Sequence, residues 1–255
     1  MKTAIARIKH ELLQLLLPKL DFKPEIDLPI EKMGSTYGEW VIPKGIVGKH
    51  SVCYLAGAGE DISFDVKLAG TYGCEVHIFD PTPRAKKHFD TLAIEVEKGN
   101  GMPLPHDASY SYEISKELFS RISFHEIGIW KNDEIVRFYE PSDETHVSHS
   151  ILNLQKTESY IDVQVERLET IMERLGHKKI DVLKIDIEGA EYEVINYLLD
   201  EKVPVDILCV EFDEVYNPLD GKYPIRINET VQRLRKEGYA ILYTDDYCNI
   251  TFVKR

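Results

Sequence analysis

The sequence predicts an α/β domain built on parallel strands, and three observations carry that reading. Val52-Cys53-Tyr54-Leu55-Ala56 is nearly all apolar, as a strand covered on both faces must be. It runs into Gly57-Ala58-Gly59, then a stretch with Ile62, Val66 and Ala69 at i, i+4 and i+7, then a second apolar run over Cys74–Phe79 that ends at Asp80. Strand, helix and parallel strand make one βαβ unit of about thirty residues. Downstream, buried-strand runs at Asp181–Ile185 and Val205–Phe212 alternate with helical periodicity. At 255 residues the chain is long enough for one large core.

Taken in order, Ala4–Leu17 reads as a helix with Ile5, Ile8, Leu12, Leu15 and Leu16 on one side. That face is expected to pack on the main domain or on a second copy, making a homo-oligomer. Its apolar run, Leu12 to Leu17, is too short to span a bilayer and stops at Pro18. It has no signal-peptide cleavage pattern. Pro18 to Gly48 is rich in Pro and Gly, with Tyr37 and Trp40 between them. It reads as an irregular lead-in that covers part of a ligand cleft. The expected division is therefore 1–48 for helix and lead-in, and 49–255 for the domain.

Asp61 is placed to cap the first helix of the domain. Thr82 caps the next, with Pro83 in its first turn, Gly99 at its end and Ala85, Phe89, Leu92, Ala93 and Val96 on its apolar face. Asn100 to Ser111 is turn-rich, and Ile122 to Trp130 is a third strand. Ile135–Tyr139 and Tyr160–Val165 alternate apolar and polar residues, the mark of half-exposed strands. Between them lie His146 and His149. Arg167–Leu175 is a short helix closed by Gly176, Glu191–Leu199 and Asn228–Glu237 are helices, and Tyr239–Tyr243 with Ile250–Val253 form a closing hairpin.

Hydrophobic residues make up 43% and charged residues 29%, an ordinary water-soluble balance. The net charge of −13 argues against nucleic acid or an anionic membrane as partner, since both repel an acidic surface. Cys53, Cys74, Cys209 and Cys248 form no C-x-x-C pair and sit in apolar runs. They read as buried thiols, which fits a reducing cytoplasm.

Two stretches carry chemistry. A βαβ unit binds nucleoside-containing ligands outside the carboxyl ends of its strands. Gly57 and Gly59 let backbone approach such a ligand, and Asp80 stands where it can accept hydrogen bonds from two ribose hydroxyls. The bland alternative is a tight turn and a helix cap. A dinucleotide fingerprint needs a third glycine where this chain has Ile62. That counts against NAD and leaves other adenosine cofactors open. The second stretch, Leu183 to Glu191, places Asp186 and Glu188 two residues apart at the end of a buried strand, pointing the same way if extended. Glu211, Asp213 and Glu214 follow the next strand. If these strands lie beside the first, the acids converge near Gly57; otherwise Asp186 and Glu188 only cap the helix after Ala190.

LKIDIEGAEYEVI resembles the signature of FkbM-type methyltransferases, and GAGEDISFD, GCEVHIFDPTPRA, FHEIGIW and HVSHSILNLQ extend the resemblance from about Gly38 to the end. The resemblance implies a Rossmann-like class I methyltransferase fold, with helices on both faces of a seven-stranded, mostly parallel sheet whose last strand is antiparallel. It implies S-adenosylmethionine as cofactor and methyl transfer to a hydroxyl oxygen of a sugar or small metabolite. Gly57, Gly59 and Glu60, with Asp61 and Ile62 beside them, would line the methionine part. Asp80 and Pro81 would flank the ribose, and Gly128 and Ile129 would border the adenine. Asp186, Glu188 and Glu211 would face the reacting centre. One departure is Ala56, where many relatives carry an acid before the first glycine.

The cofactor is a net cation and its demethylated product is neutral, so an acidic pocket favours the donor. An alcohol acceptor must also lose a proton. Asp186, Glu188, His146 and His149 are the candidate bases, with Glu211 beside them. A divalent cation held by Asp186, Glu188 and Glu211 is the alternative route. Tyr110, Tyr112, Tyr216 and Tyr223 offer faces for a neutral sugar or small-molecule acceptor. Two other functions are weighed: a nicotinamide-dependent oxidoreductase, and a catalytically silent binding protein on the same fold.

Overall fold

The computed structural model describes residues 17–139, 157–246 and 248–255. Residues 4–16 of the expected N-terminal helix, and His146 and His149, lie outside the described residues.

The described chain begins with two short strands, β1 (Ile30–Met33) and β2 (Trp40–Pro43), paired as an antiparallel hairpin. The βαβ unit follows as β3 (Val52–Ala56), α1 (Ser63–Tyr72) and β4 (Glu75–Phe79). Next come α2 (Pro83–Lys98), the small hairpin β5 (Met102–Pro103) and β6 (Ser111–Tyr112), and α3 (Lys116–Phe119). After them run β7 (Ile122–His125), β8 (Gly128–Ile129), β9 (Glu134–Tyr139) and β10 (Tyr160–Glu166). The last part holds α4 (Leu168–Leu175), β11 (Ile180–Ile185), α5 (Glu191–Asp200), β12 (Val205–Glu211), α6 (Tyr223–Lys236), β13 (Tyr239–Thr244) and β14 (Asn249–Lys254).

Seven strands form the central sheet in the order β13-β14-β12-β11-β3-β4-β7. All neighbours are parallel except β14, which runs antiparallel to both β12 and β13. The expected sheet with an antiparallel last strand is therefore present. Successive strand residues serve two cores, as the two-residue period requires. Tyr54, Ala56, Leu183 and Ile185 face the layer of α4, α5 and α6, while Cys53, Leu55, Val182 and Ile207 face α1 and α2. A slip of one residue would exchange the faces, so the apolar pattern fixes the register. That register aligns Ala56 with both Phe79 and Ile185, and Ile185 with Val210. Gly57, Asp80, Asp186 and Glu211 therefore emerge along one edge.

Four expectations change. The lead-in is not wholly irregular: Trp40, Val41 and Ile42 are buried, and Thr251 donates its hydroxyl to the Val41 carbonyl (2.6 Å), which docks the hairpin onto the sheet. Asp61 is not the cap of α1. Ile62 occupies that position, and Asp61 one residue earlier accepts from the Ser63 amide (2.9 Å). The run Ile122 to Trp130 is two strands, because β8 leaves the central sheet to pair with β10 in a separate sheet ordered β8-β10-β9. Finally, α6 starts at Tyr223 rather than Asn228, with Pro224 in its first turn. The four cysteines are free and buried, as read. Among the described residues, no helix is long and apolar enough to cross a membrane.

Candidate active site

The glycine turn is a close approach of two strands. A Cβ on Gly57 would sit 1.7 Å from the Asp186 carbonyl oxygen, and its φ of 83° is left-handed. Only glycine lets β3 and β11 meet there. Gly59 is also left-handed, but nothing lies within 4 Å of where its Cβ would be. One glycine closes the strands and the other faces open space.

Asp80 holds this turn. Its Oδ2 accepts from the amides of Ala58 (2.9 Å) and Gly59 (3.1 Å), and its Oδ1 accepts from the amide (2.8 Å) and hydroxyl (2.6 Å) of Thr82. The side chain is buried, and these four donors match the roughly four lone-pair sites of a carboxylate. Ribose hydroxyls would have to replace donors that the protein already supplies. Asp61 is tied to the lead-in: Ser35 donates to its Oδ2 (2.6 Å), and Gly38 lies so close that a Cβ would meet the carboxyl at 2.7 Å. Glu60 pairs with Arg84 (2.6 Å). Ile62 is buried, and its amide donates to the Tyr112 hydroxyl (3.1 Å). Gly128 and Ile129 are buried, with Gly128 packed between Pro81 and Val165.

The acids do converge. Asp186 and Glu211 share a hydrogen bond, and Glu188 shares one with Asp213. The Asp186 charge and burial together push Glu211 up to about 10, so it keeps a proton at neutral pH. Burial raises Asp213 as well. Neither Asp186 nor Glu188 caps α5, whose cap position, Ala190, has no side-chain bond. The neighbouring Glu191 binds the loop instead, accepting from the amides of Ile187 (3.3 Å) and Gly189 (2.9 Å). Glu188 stands at φ 56°, a conformation that side-chain-bearing residues rarely hold. The strand-end loop is thus clamped in a costly shape, as functional loops often are.

Sequence reasoning missed the centre of this network. Lys184 is buried, and its ammonium lies 3.0 Å from Asp186 Oδ2 while donating to the Gly57 carbonyl (2.6 Å). Burial pulls its pKa down, but Asp186 and Asp65 more than offset this and leave it above the ordinary lysine value. Asp65 is buried on α1, and burial pushes it to about 7 against the pull of Lys184. Burial raises Glu191 to about 8. The available signal was a charged residue inside the apolar run Val182 to Ile185, where an unpaired charge is too costly to persist. Trp40 from the hairpin lies against Lys184, its ring centre 6.0 Å from Nζ. On the same hairpin loop Tyr37 keeps most of its surface exposed, yet partial burial and the charges of Asp186, Glu211 and Glu188 raise its pKa. The lead-in does reach the cleft.

Two candidate roles gain little from the described residues. Among the described residues, the ligand atoms of Asp186, Glu188 and Glu211 do not gather tightly enough to hold one metal ion. The Lys184 ammonium supplies the positive charge there. Of the tyrosines considered as an acceptor surface, Tyr112 is fully buried against His88 (2.9 Å) and Tyr223 packs on the core, while Tyr216 is exposed. A groove of about 380 Å³ opens beside Pro81 and Pro83, lined also by Lys86, Asp90 and Glu126, but none of the strand-end acids lines it.

Two curated relatives are described as probable methyltransferase-like protein 24. The Homo sapiens protein is 26% identical over 160 residues, covering 62% of this chain and 31% of the relative. The Rattus norvegicus protein is 28% identical over 152 residues, covering 59% and 29%. The chain therefore matches just under a third of the length of each. An rRNA methylase from Streptococcus thermophilus superposes with a TM-score of 0.40 at 11% identity, covering 82% of this chain and 89% of that one. The family model described as methyltransferase FkbM domain matches residues 47–240, from just before β3 to the start of β13, and so takes in the glycine turn and every strand-end acid described above. The chain belongs to the FkbM methyltransferase family.

Proposed function

We propose that this chain transfers a methyl group from S-adenosylmethionine to a hydroxyl oxygen of a neutral sugar or small metabolite. The observation that carries the reading is the Asp186 carboxylate held 3.0 Å from the buried Lys184 ammonium, where the glycine turn meets β11. The donor set suits the cofactor. Asp186, Glu188 and Glu211 present carboxyl groups to a ligand that bears a sulfonium and an ammonium. Gly59 leaves the open approach that a bulky ligand needs. When bound, the cofactor supplies an electrophilic methyl group.

The residues of the chain do the remaining work. Asp186, tethered by Lys184 and by Glu211, is the group placed to accept the proton of an acceptor hydroxyl. Fixing its oxygens in advance supports the alignment on which an in-line displacement depends. Trp40, buried on the lead-in hairpin, covers Lys184 and limits its exposure to water. Asp80 keeps the Ala58 and Gly59 amides in place, so cofactor affinity depends on it through the turn, and ribose hydroxyls compete with those amides for its oxygens. The charge of −13 supports a neutral acceptor over nucleic acid or an anionic membrane.

The test incubates the protein with methyl-labelled donor and sugar-containing, protein and RNA fractions, beside calorimetric titration with S-adenosylmethionine and NAD. The expected result is binding of S-adenosylmethionine alone and label on a sugar or metabolite oxygen, located by mass spectrometry. Label confined to protein or RNA overturns the acceptor reading, and tight NAD binding overturns the cofactor reading.

A further inference from the structure

A second cluster lies at the other end of the sheet. Glu75 is the first residue of β4 and His177 lies just ahead of β11, so both stand at amino ends of strands, opposite the glycine turn. His77, two residues on from Glu75, shares its face of the sheet and is buried. His77 Nε2 is 2.9 Å from Glu75 Oε1, and His177 Nε2 is 3.4 Å from the same oxygen. One donor atom from each of the three side chains lies within 4.8 Å of the others.

We propose that Glu75, His77 and His177 form a binding site for a divalent transition-metal ion of the zinc class. Two imidazoles and one carboxylate are a donor set that such ions favour over magnesium or calcium. Zinc–nitrogen and zinc–oxygen bonds of about 2.0–2.2 Å set tetrahedral ligand atoms about 3.3 Å apart. The two measured separations bracket that value, so small side-chain adjustments admit the ion. Glu75 is exposed and His177 partly so, which gives an entry path and leaves a fourth position for water.

The surroundings are those of a ligand set as well. A metal-binding imidazole is held by a hydrogen bond at its other nitrogen. His177 Nδ1 lies 2.7 Å from the Tyr54 hydroxyl, and His77 Nδ1 lies 2.9 Å from His125 Nε2. Hydroxyl and imidazole can each either donate or accept. Without metal, each Nε2–H faces Glu75 Oε1, that of His77 at hydrogen-bond distance (2.9 Å) and that of His177 at a looser 3.4 Å. With metal, each proton moves to Nδ1 and is accepted by Tyr54 or His125. A plain histidine–glutamate network would need no such pair of reversible partners.

The test uses the full chain stripped with a chelator and titrated with zinc against a chromophoric competitor. Cobalt replaces zinc for visible spectra, and imidazole nitrogen NMR follows the unmutated protein. One zinc per chain is expected, with the His77 and His177 nitrogen signals shifting on saturation. Losing a single hydrogen-bond partner of a ligand lowers metal affinity about 10- to 100-fold. His177→Gln and Glu75→Gln remove a ligand at accessible positions, so each is expected to cost at least about a hundredfold with the circular dichroism spectrum unchanged. Asp186→Asn is expected to leave zinc affinity as it was. Unshifted His77 and His177 signals, or zinc affinity in His177→Gln and Glu75→Gln equal to that of the parent, overturn the proposal.

Discussion

Replacing Glu211 by glutamine isolates the proton held at the strand-end acids. Folded, Glu211 titrates at about 10 because Asp186 and burial disfavour its charge; its ordinary value is 4.5. Between those values the folded chain holds a proton that the unfolded chain has released. Stability therefore falls as pH rises through this window, by about 1.4 kcal/mol per pH unit for one proton. From pH 7 to pH 9 the loss is about 2.7 kcal/mol at most, since the proton is shared with Asp186 and the pair relaxes. Asp65, at about 7, and Glu191, at about 8, act in the same direction but at lower pH. Glutamine is neutral at every pH and keeps a donor toward Asp186, so Glu211→Gln lacks this contribution. The assay is thermal unfolding of both proteins at pH 6, 7, 8 and 9. For a chain of this size 1 kcal/mol corresponds to about 2–4 °C. The gap between Glu211→Gln and the parent is expected to widen in the variant's favour from pH 7 to 9, by no more than about 5–11 °C. A gap that stays constant, or closes, refutes the reasoning that Glu211 is protonated in the fold.

Three further outcomes are expected. Asp80→Asn turns one acceptor oxygen into a donor facing amide or hydroxyl donors, and should cost about 2–4 kcal/mol in urea unfolding; unchanged stability would mean that the turn does not depend on Asp80. Gly57→Ala meets the Asp186 carbonyl oxygen and should cost at least about 3 kcal/mol, whereas Gly59→Ala enters open space and should cost about 1–2 kcal/mol for its left-handed backbone; equal costs would contradict the crossing of β3 and β11. Asp186→Asn should lower methyl transfer by about 10²–10⁴-fold in the labelled-donor assay while circular dichroism stays unchanged; full turnover would leave Asp186 with no part in proton transfer.

The sequence by itself determined the βαβ unit, the two-sided strands and the edge on which the site lies. These follow from periodicity and from the position of glycines and acids at strand ends, which are local properties. The convergence of Asp186 and Glu211 was legible on one condition, that β11 and β12 neighbour β3, and the sheet order meets it. The tertiary structure alone decided what those acids do. Lys184 was passed over in an apolar strand, and only the fold set it against Asp186 and Asp65. Asp80 looked free for a ligand until the turn folded back onto it. Tyr112 looked like a surface aromatic until His88 and the Ile62 amide enclosed its hydroxyl. His177 is about a hundred residues of chain from Glu75 and His77, and only the sheet brings the three together. The physical reason is common to these cases. A pattern of apolar residues reports which face is buried, because burial is averaged over many atoms. The charge state and partners of a polar group depend on a few contacts within about 3 Å, and those exist only once distant segments have packed.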